Sequence, residues 1–314
     1  MVLAAGRYVL DKGIVVDKSL VIRGAGLDKT VIVVRGGEYG LRFSGACKWE
    51  LEGLTVEYVG EGGADVVVAD SGSIKISECG FVGAKRDGKA GRGGVGLGLR
   101  GTVRAEVSRC VCKGNGWQGI EVSDQASAEL WENRCEGNQG AGIGYWDKAG
   151  GVARKNVCRG NEKHGIYVGG QGQPTLENNT CEGNKDSGIA YVEKAGGVAK
   201  NNVCRGNLLG IGVVGQAQPT LENNTCEGNK GGIAYFDKAG GVAKNNVCRG
   251  NEKYGIYVDD EAQPTLEENT CEGNKWRGIA FLGKSGGVAR KNACRNNGDD
   301  KIYVASTANP NIED

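Results

Sequence analysis

Nine cysteines recur at an almost constant spacing from residue 112 towards the C-terminal end of the sequence. Successive members of the series are 22 or 23 residues apart, and they are Cys112, Cys135, Cys158, Cys181, Cys204, Cys226, Cys248, Cys271 and Cys294. Most of them stand in the motif Asn-x-Cys-x-Gly-Asn, which is followed by a Gly-Ile pair. Self-similarity at a fixed period of this length is typical of a solenoid, in which each repeat adds one structural turn.

The repeat length and composition exclude helical solenoids. Repeats built from two helices need roughly 33 residues or more, and Gly, Asn and β-branched residues in every repeat oppose helix formation. Leucine-rich repeats have a similar length, but their leucine pattern is missing here. Short parallel strands joined by tight turns remain, and the 57 glycines among 314 residues fit that interpretation.

The motif N-x-C-x-G-N-x-x-x-G-I resembles the N-N-x-I-x-x-N-x-x-x-G-I coil of right-handed parallel β-helices in the pectin-lyase-like superfamily. That superfamily includes carbohydrate-binding and sugar-hydrolase repeats and the copper-maturation and F-box β-helix proteins. The resemblance implies an all-β, single-stranded right-handed parallel β-helix of about twelve coils. It implies one domain overall, with residues 1–40 as a first coil and cap region, continuous with the β-helix of residues 41–314. The motif is specific for fold and not for function.

Two columns of the repeat vary in size in a compensated way. Two residues after the Ile of each Gly-Ile pair, Val alternates with an aromatic residue, as in Val122 and Tyr145. Five residues before each cysteine, Leu alternates with Ala, as in Leu130 and Ala153. A coil with an aromatic residue therefore has Ala, and a coil with Val has Leu, which keeps the volume of each layer nearly constant. We predict that both columns, the Ile and the Cys point into the core.

The cysteines are predicted to be reduced core thiols. In-register parallel strands hold successive Cβ atoms about 4.8 Å apart, wider than the ~3.8 Å that a disulfide prefers. No histidine accompanies the cysteines, and the paired C-x2-C spacing of zinc sites is missing. We therefore predict no metal at these thiols, and side-chain amides that pair from coil to coil in the Asn columns. Twelve unpaired thiols and a start without a basic and then apolar leader favour a cytoplasmic location.

The charge balance argues against nucleic acid and membranes as partners. The chain carries 39 basic and 38 acidic residues, a formal net charge of +1. Such a chain has no overall field that attracts polyanions or an anionic lipid surface, and no apolar run approaches the ~18 residues of a membrane span.

The outward positions of the Gly-Ile strand and the turn before it are unexpectedly rich in apolar residues. The resemblance to the pectin-lyase-like superfamily implies that ligand clefts lie along this same strand. We predict a non-catalytic recognition module that binds a polysaccharide or a protein partner there. Self-association through this strip or through the solenoid ends is a further use of such surfaces. The predicted ligand-binding residues are Trp117, Trp146, Tyr167, Phe236, Tyr257 and Trp276.

The alternative function is that of a carbohydrate-active enzyme, either a polysaccharide lyase or a glycoside hydrolase. The insertion at residues 83–94 is basic, and Arg86 and Arg92 within it would neutralise a uronate. Asp124 and Asp147 are expected to stack in adjacent coils, where they would share a proton or hold Ca²⁺. These four are the candidate catalytic residues, although the catalytic motifs of the superfamily's galacturonases and epimerases are absent. The simpler interpretation is a solvated loop and solvated turns, with no cofactor.

Overall fold

The computed structural model describes residues 1–299 and 301–313 and divides the chain into two compact units, residues 1–163 and 164–314. The described residues form about 13 turns of parallel β-solenoid with three strands per turn and no helix. The prediction of an all-β parallel β-helix of about twelve coils is therefore confirmed, and residues 1–40 contribute strands to all three sheets. In the part of the chain that the structure describes, no helix is long and apolar enough to cross a membrane.

The cysteine sheet contains the cysteine column in its later strands. In the first unit its strands are Gly6–Leu10, Thr30–Val34, Thr55–Tyr58, Gly80–Val82, Val111–Lys113, Arg134–Glu136 and Val157–Arg159. In the second unit they are Thr180–Glu182, Val203–Arg205, Thr225–Glu227, Val247–Arg249, Thr270–Glu272 and Ala293–Arg295.

The isoleucine sheet contains the Gly-Ile strand of each repeat. In the first unit its strands are Ile14–Val16, Tyr39–Phe43, Asp65–Ala69, Leu97–Leu99, Ile120–Val122 and Ile143–Tyr145. In the second unit they are Ile166–Val168, Ser187–Tyr191, Leu209–Val213, Gly231–Tyr235, Tyr254–Val258, Arg277–Phe281 and Tyr303–Val304.

The alanine–leucine sheet contains the alternating Leu and Ala column. In the first unit its strands are Leu20–Arg23, Lys48–Glu52, Ser73–Ser77, Arg104–Ser108, Ser127–Trp131 and Gly150–Arg154. In the second unit they are Thr175–Glu177, Val198–Lys200, Thr220–Glu222, Val242–Lys244, Thr265–Glu267, Val288–Arg290 and Asn311–Glu313. A separate antiparallel hairpin pairs Arg86–Asp87 with Arg92–Gly93.

The register of the strands brings equivalent repeat positions together. Val122 pairs with Tyr145 in the isoleucine sheet, and Leu130 pairs with Ala153 in the alanine–leucine sheet. All four side chains are buried, as the compensated sizes predict. Burial raises the pKa of the Tyr145 hydroxyl, whose oxygen has no hydrogen-bond partner among the described residues. The column thus uses tyrosine for its volume, and Phe281 occupies the same column without a hydroxyl.

Two asparagine ladders stabilise the turns beside the cysteine sheet. In one ladder the amide nitrogen of Asn224 donates to the side-chain oxygen of Asn246 at 3.0 Å and to the Ala199 carbonyl at 2.8 Å. In the other, Asn229 donates in the same way to Asn251 and to the Cys204 carbonyl. Each buried amide satisfies backbone groups that the turn leaves without a strand partner, so the predicted ladder is a structural element.

The cysteine column lies in the core, and all twelve cysteines are unbridged. Ten are buried, whereas Cys47 and Cys294 are partly exposed. Burial raises the pKa of the Cys112 thiol, which further lowers the fraction of reactive thiolate. We expect a thiol reagent to label two cysteines quickly in the native protein and the other ten only after denaturation. Rapid labelling of more than two, measured by mass spectrometry against time, would contradict the buried ladder.

Candidate functional site

Two concave surfaces lie on the outer face of the isoleucine sheet, one in each unit. The aromatic groove of the second unit is lined chiefly by Leu208, Leu209, Phe236, Tyr254, Tyr257 and Trp276. The hairpin cavity of the first unit is lined by charged and aromatic residues, among them Tyr39, Asp65, Asp87, Arg100, Trp117 and Glu121. Each has a volume of about 390 Å³, within the range of small-molecule sites in proteins.

The aromatic groove results from a difference in side-chain size between adjacent coils. Its floor is the strand Gly231–Tyr235, whose outward residues Gly231 and Ala234 are small. Gly231 pairs with Leu209 on one side, and Ala234 pairs with Tyr257 on the other. Larger side chains in both neighbouring coils therefore stand above the floor and form two apolar walls.

The aromatic rings of the groove support one another. The Tyr254 ring stacks on Tyr257 with centroids 5.0 Å apart and meets Trp276 edge to face at 5.4 Å. Phe236 packs against Tyr257 at 5.4 Å. Trp276 nevertheless keeps 48% of its surface exposed. An exposed indole held in place by neighbouring rings is prepared to contact a ligand at little entropic cost.

The polar groups at the groove come from lysine and tyrosine side chains. Lys230 and Lys253 are its charged lining residues, and Lys253 lies 4.8 Å above the Trp276 ring. The Tyr257 hydroxyl donates a hydrogen bond of 2.5 Å to Asp259, and burial raises the pKa of this tyrosine. None of the described residues that line the groove is a carboxylate.

Residues of the basic insertion form one side of the hairpin cavity. The backbone nitrogen of Ala64 donates to the Lys85 carbonyl at 2.7 Å, and the backbone nitrogen of Trp117 donates to the Gly94 carbonyl at 2.7 Å. The Arg86 guanidinium carbon lies 3.5 Å from the centre of the Trp117 ring. The insertion is thus an ordered antiparallel hairpin fixed at both ends, where the simpler sequence interpretation had a solvated loop.

The floor of the cavity contains a partly buried charge network centred on Arg100. Its guanidinium donates to Asp65 at 2.8 Å and to Glu121 at 3.0 Å. Asp65 also accepts a bond of 2.9 Å from the Val95 backbone nitrogen, and its side chain is only 7% exposed. A β-carbon at Gly98 would lie 3.3 Å from the Arg100 side chain, so this glycine leaves room for the guanidinium over the sheet.

Sequence reasoning did not select Asp65, Arg100 or Glu121. Glu121 could have been found from the repeat pattern. The equivalent residues in the two adjacent coils are Gly98 and Gly144, so Glu121 is the one charged residue among these three positions. Asp65 and Arg100 belong to early coils in which the repeat motif is weak. Their proximity to Glu121 appears only when the three coils are stacked.

The predicted catalytic residues take different places. Arg86 covers Trp117, and Arg92 is exposed and lies 3.8 Å from Glu38. Both predicted aspartates have left-handed backbone conformations in turns, and their carboxylates accept backbone bonds: Asp124 from Gly101 at 2.8 Å, and Asp147 from Asp124 at 3.3 Å. These bonds give the two carboxylates a structural role that links consecutive turns.

The predicted binding residues lie in both units. Phe236, Tyr257 and Trp276 meet in the aromatic groove, whereas Trp117 lines the hairpin cavity. Trp146 is partly buried in the first unit, and Tyr167 packs against His164 with ring centroids 5.5 Å apart in the second. Among residues 1–299 and 301–313, no group of three or more His, Cys, Asp or Glu side chains is placed to hold a metal ion.

A family model described as a right-handed β-helix region matches residues 39–203 and 190–314. Comparison with curated proteins finds no match. The mannuronan C-5 epimerase A-module of Azotobacter vinelandii is similar in structure, with 16% identity, a TM-score of 0.60 and coverage of 99% of this chain and 86% of that one. The Dettilon tailspike protein has 17% identity, a TM-score of 0.63 and coverage of 97% and 62%. The catalytic unit of a thermostable α-1,3-glucanase from Streptomyces thermodiastaticus has 12% identity, a TM-score of 0.63 and coverage of 98% and 64%. At these identities the likeness shows the shared fold.

Proposed function

The chain belongs to the right-handed β-helix family, and on that premise we propose that its second unit recognises a carbohydrate polymer in the aromatic groove. The observation that carries this proposal is the ring cluster of Tyr254, Tyr257 and Trp276 beside a floor of small residues. Pyranose rings present flat faces of C–H groups, which pack on aromatic rings, while lysine side chains hydrogen-bond the hydroxyls at the edges.

Two further observations support a polysaccharide as the ligand class. The groove is open and crosses several coils, from Leu208 to Trp276, so a chain can lie in it without its ends being enclosed. The structures that the chain resembles include an epimerase of mannuronan and an α-1,3-glucanase. Because the groove lining lacks carboxylates, we assign it binding without chemistry.

The test uses two exposed tryptophans of this chain. Trp276 is 48% exposed in the groove, and Trp131 is 44% exposed on the alanine–leucine sheet of the other unit. We expect Trp276→Ala to weaken polysaccharide binding about 10- to 100-fold, the effect of removing one aromatic anchor. Trp131→Ala should bind normally, and both variants should melt close to the wild type because exposed residues contribute little to the core.

Binding is measured by affinity electrophoresis and calorimetry on a panel of neutral and uronate polysaccharides. Equal affinities of the Trp276→Ala and wild-type proteins would overturn the proposal. So would a failure of every polymer on the panel to bind, combined with a protein ligand lost on the same substitution, because the groove would then serve a protein partner. A second candidate function, catalysis in the hairpin cavity, is favoured by the Asp65–Arg100–Glu121 network.

A further inference from the structure

The exposed Trp131 interrupts a regular charge pattern on the outer face of the alanine–leucine sheet. In the second unit the last residues of these strands alternate in charge and form ion pairs, as Lys244 does with Glu267 at 3.3 Å. The equivalent position in the first unit holds Trp131, which pairs in register with Ser108 and Arg154. Its side chain is 44% exposed. Charge pairing between coils therefore does not account for this indole.

A second exception to the pattern lies on the same strands. Glu106 and Glu129 are register partners in adjacent coils, and both are exposed. Like charges at directly opposed positions destabilise a sheet. The corresponding positions of the second unit hold uncharged residues, such as Val242 and Thr265. Neither glutamate has an ion-pair partner in the part of the chain that the structure describes. Two carboxylates are thus held side by side without a counter-ion of their own.

These two exceptions meet in one hollow, which we call the tryptophan slot. It has a volume of about 400 Å³, and Trp131, Glu106 and Glu129 are among its lining residues. Ser77 and Ser108 also line it, and they pair with each other on neighbouring strands. Trp131 pairs with Ser108, so a large side chain stands beside two small ones. The slot is therefore open at its floor and has an indole as one wall.

The charges of the slot leave a surplus of negative charge. Its other acidic residues and its arginine form ion pairs with residues outside the lining: Glu50 and Glu52 with Arg23 at 3.2 and 2.9 Å, and Arg109 with Glu78 at 3.0 Å. Lys75 is the register partner of Glu106 and forms no ion pair within the described residues. The groups without an ion pair are thus two carboxylates and one ammonium, and one added positive charge balances them.

A guanidinium has the shape and the donors that this arrangement requires. Carboxylates on adjacent strands stand about 4.8 Å apart, and the N–H groups of one planar guanidinium can donate to both. The same plane stacks on an indole and gains a cation–π contact. The ammonium of lysine is compact and strongly hydrated and has no flat face to stack. The slot therefore favours arginine over lysine.

We propose that the tryptophan slot docks an arginine side chain of a partner protein, with the guanidinium on the Trp131 ring and hydrogen-bonded to Glu106 and Glu129. Lys155 does not occupy this place, because its nitrogen lies 6.0 Å from the ring centre and 4.0 Å from Glu132. The inference is independent of polysaccharide recognition, since none of the residues that line the slot lines the aromatic groove.

The test uses two capped peptides that differ in one group. The probe is acetyl-Gly-Ser-Arg-Ser-Gly-amide, and its control has citrulline in place of arginine, which keeps the shape and removes the charge. Binding is followed by NMR at low ionic strength through the indole N–H signals of the five tryptophans, assigned by substitution. We expect the arginine peptide to shift the Trp131 signal alone and to bind at least about 10-fold more tightly than the citrulline peptide. Added salt should weaken the binding.

Variants separate the slot from the general charge of the protein. Affinities are measured from the line broadening of the peptide signals. We expect Trp131→Ala to bind the arginine peptide about 5- to 30-fold more weakly, and Glu106→Gln combined with Glu129→Gln about 10-fold or more. The matched control combines Asp11→Asn with Asp28→Asn, which removes two exposed carboxylates from the same unit and should change the affinity little.

The outcomes also separate this inference from the proposed function. Equal affinities for the two peptides, or equal losses in the slot and control double variants, would overturn the arginine site. So would a peptide that shifts the Trp276 signal in place of the Trp131 signal, or an arginine peptide that does not bind. Trp276→Ala should bind the arginine peptide like the wild type, and Trp131→Ala should keep its affinity for polysaccharide, so either site can fail without the other.

Discussion

Replacing Asn224 with alanine is expected to destabilise the protein by about 3–5 kcal/mol, because the side chain sits in the middle of a buried hydrogen-bond ladder. Its oxygen accepts from the backbone nitrogen of Asn202 at 3.0 Å and from the Asn202 amide at 2.9 Å. Its own amide donates to Ala199 and Asn246. Removing it leaves two buried donors on Asn202 without an acceptor.

The preceding residue provides a matched control. Asn223 is exposed and adopts a left-handed backbone with φ of 53°, a conformation that glycine accepts without strain. We expect Asn223→Gly to leave the urea midpoint close to that of the wild type, whereas Asn224→Ala should shift it strongly downward. Similar midpoints for the two variants would show that the ladder does not stabilise the turn.

The second large effect concerns the compensated core layers. Ala199 and Tyr191 are both fully buried, and Ala199 pairs with Leu176 and Leu221 in the adjacent coils. Ala199→Leu alone should overpack its layer at a cost on the order of 1–3 kcal/mol. Combining it with Tyr191→Val recreates the Val and Leu composition of the neighbouring coils and should recover much of that loss. Strict additivity of the two changes in urea unfolding would show that the side chains do not share a layer.

The periodic features of the fold could be predicted because the same residue type recurs at the same structural position in many coils. The inward position of Val122, Tyr145 and the cysteines followed from regular spacing and compensated volume, and the strand register confirms it. Residues 1–40, predicted as a first coil and cap region, lack the motif, and they supply the strands Gly6–Leu10, Ile14–Val16 and Leu20–Arg23.

The sites were harder to predict because they depend on exceptions to the period. The groove requires small residues at Gly231 and Ala234 beside large ones in the next coil, and a list of outward aromatics does not reveal that contrast. The Arg100 network joins residues 35 and 21 positions away in sequence, and a charge pattern gave no reason to connect them. Composition of the insertion suggested an acidic ligand, whereas in the fold Arg86 lies over the Trp117 ring and Arg92 lies 3.8 Å from Glu38.

The structure of the protein bound to an oligosaccharide from the tightest-binding polymer tests the central claim most directly. The account predicts sugar rings in the groove of the second unit, packed on Trp276 and Tyr254 above the floor formed by Gly231 and Ala234. An oligosaccharide bound on the cysteine or alanine–leucine sheet, with the rings of the groove free of contact, would contradict it.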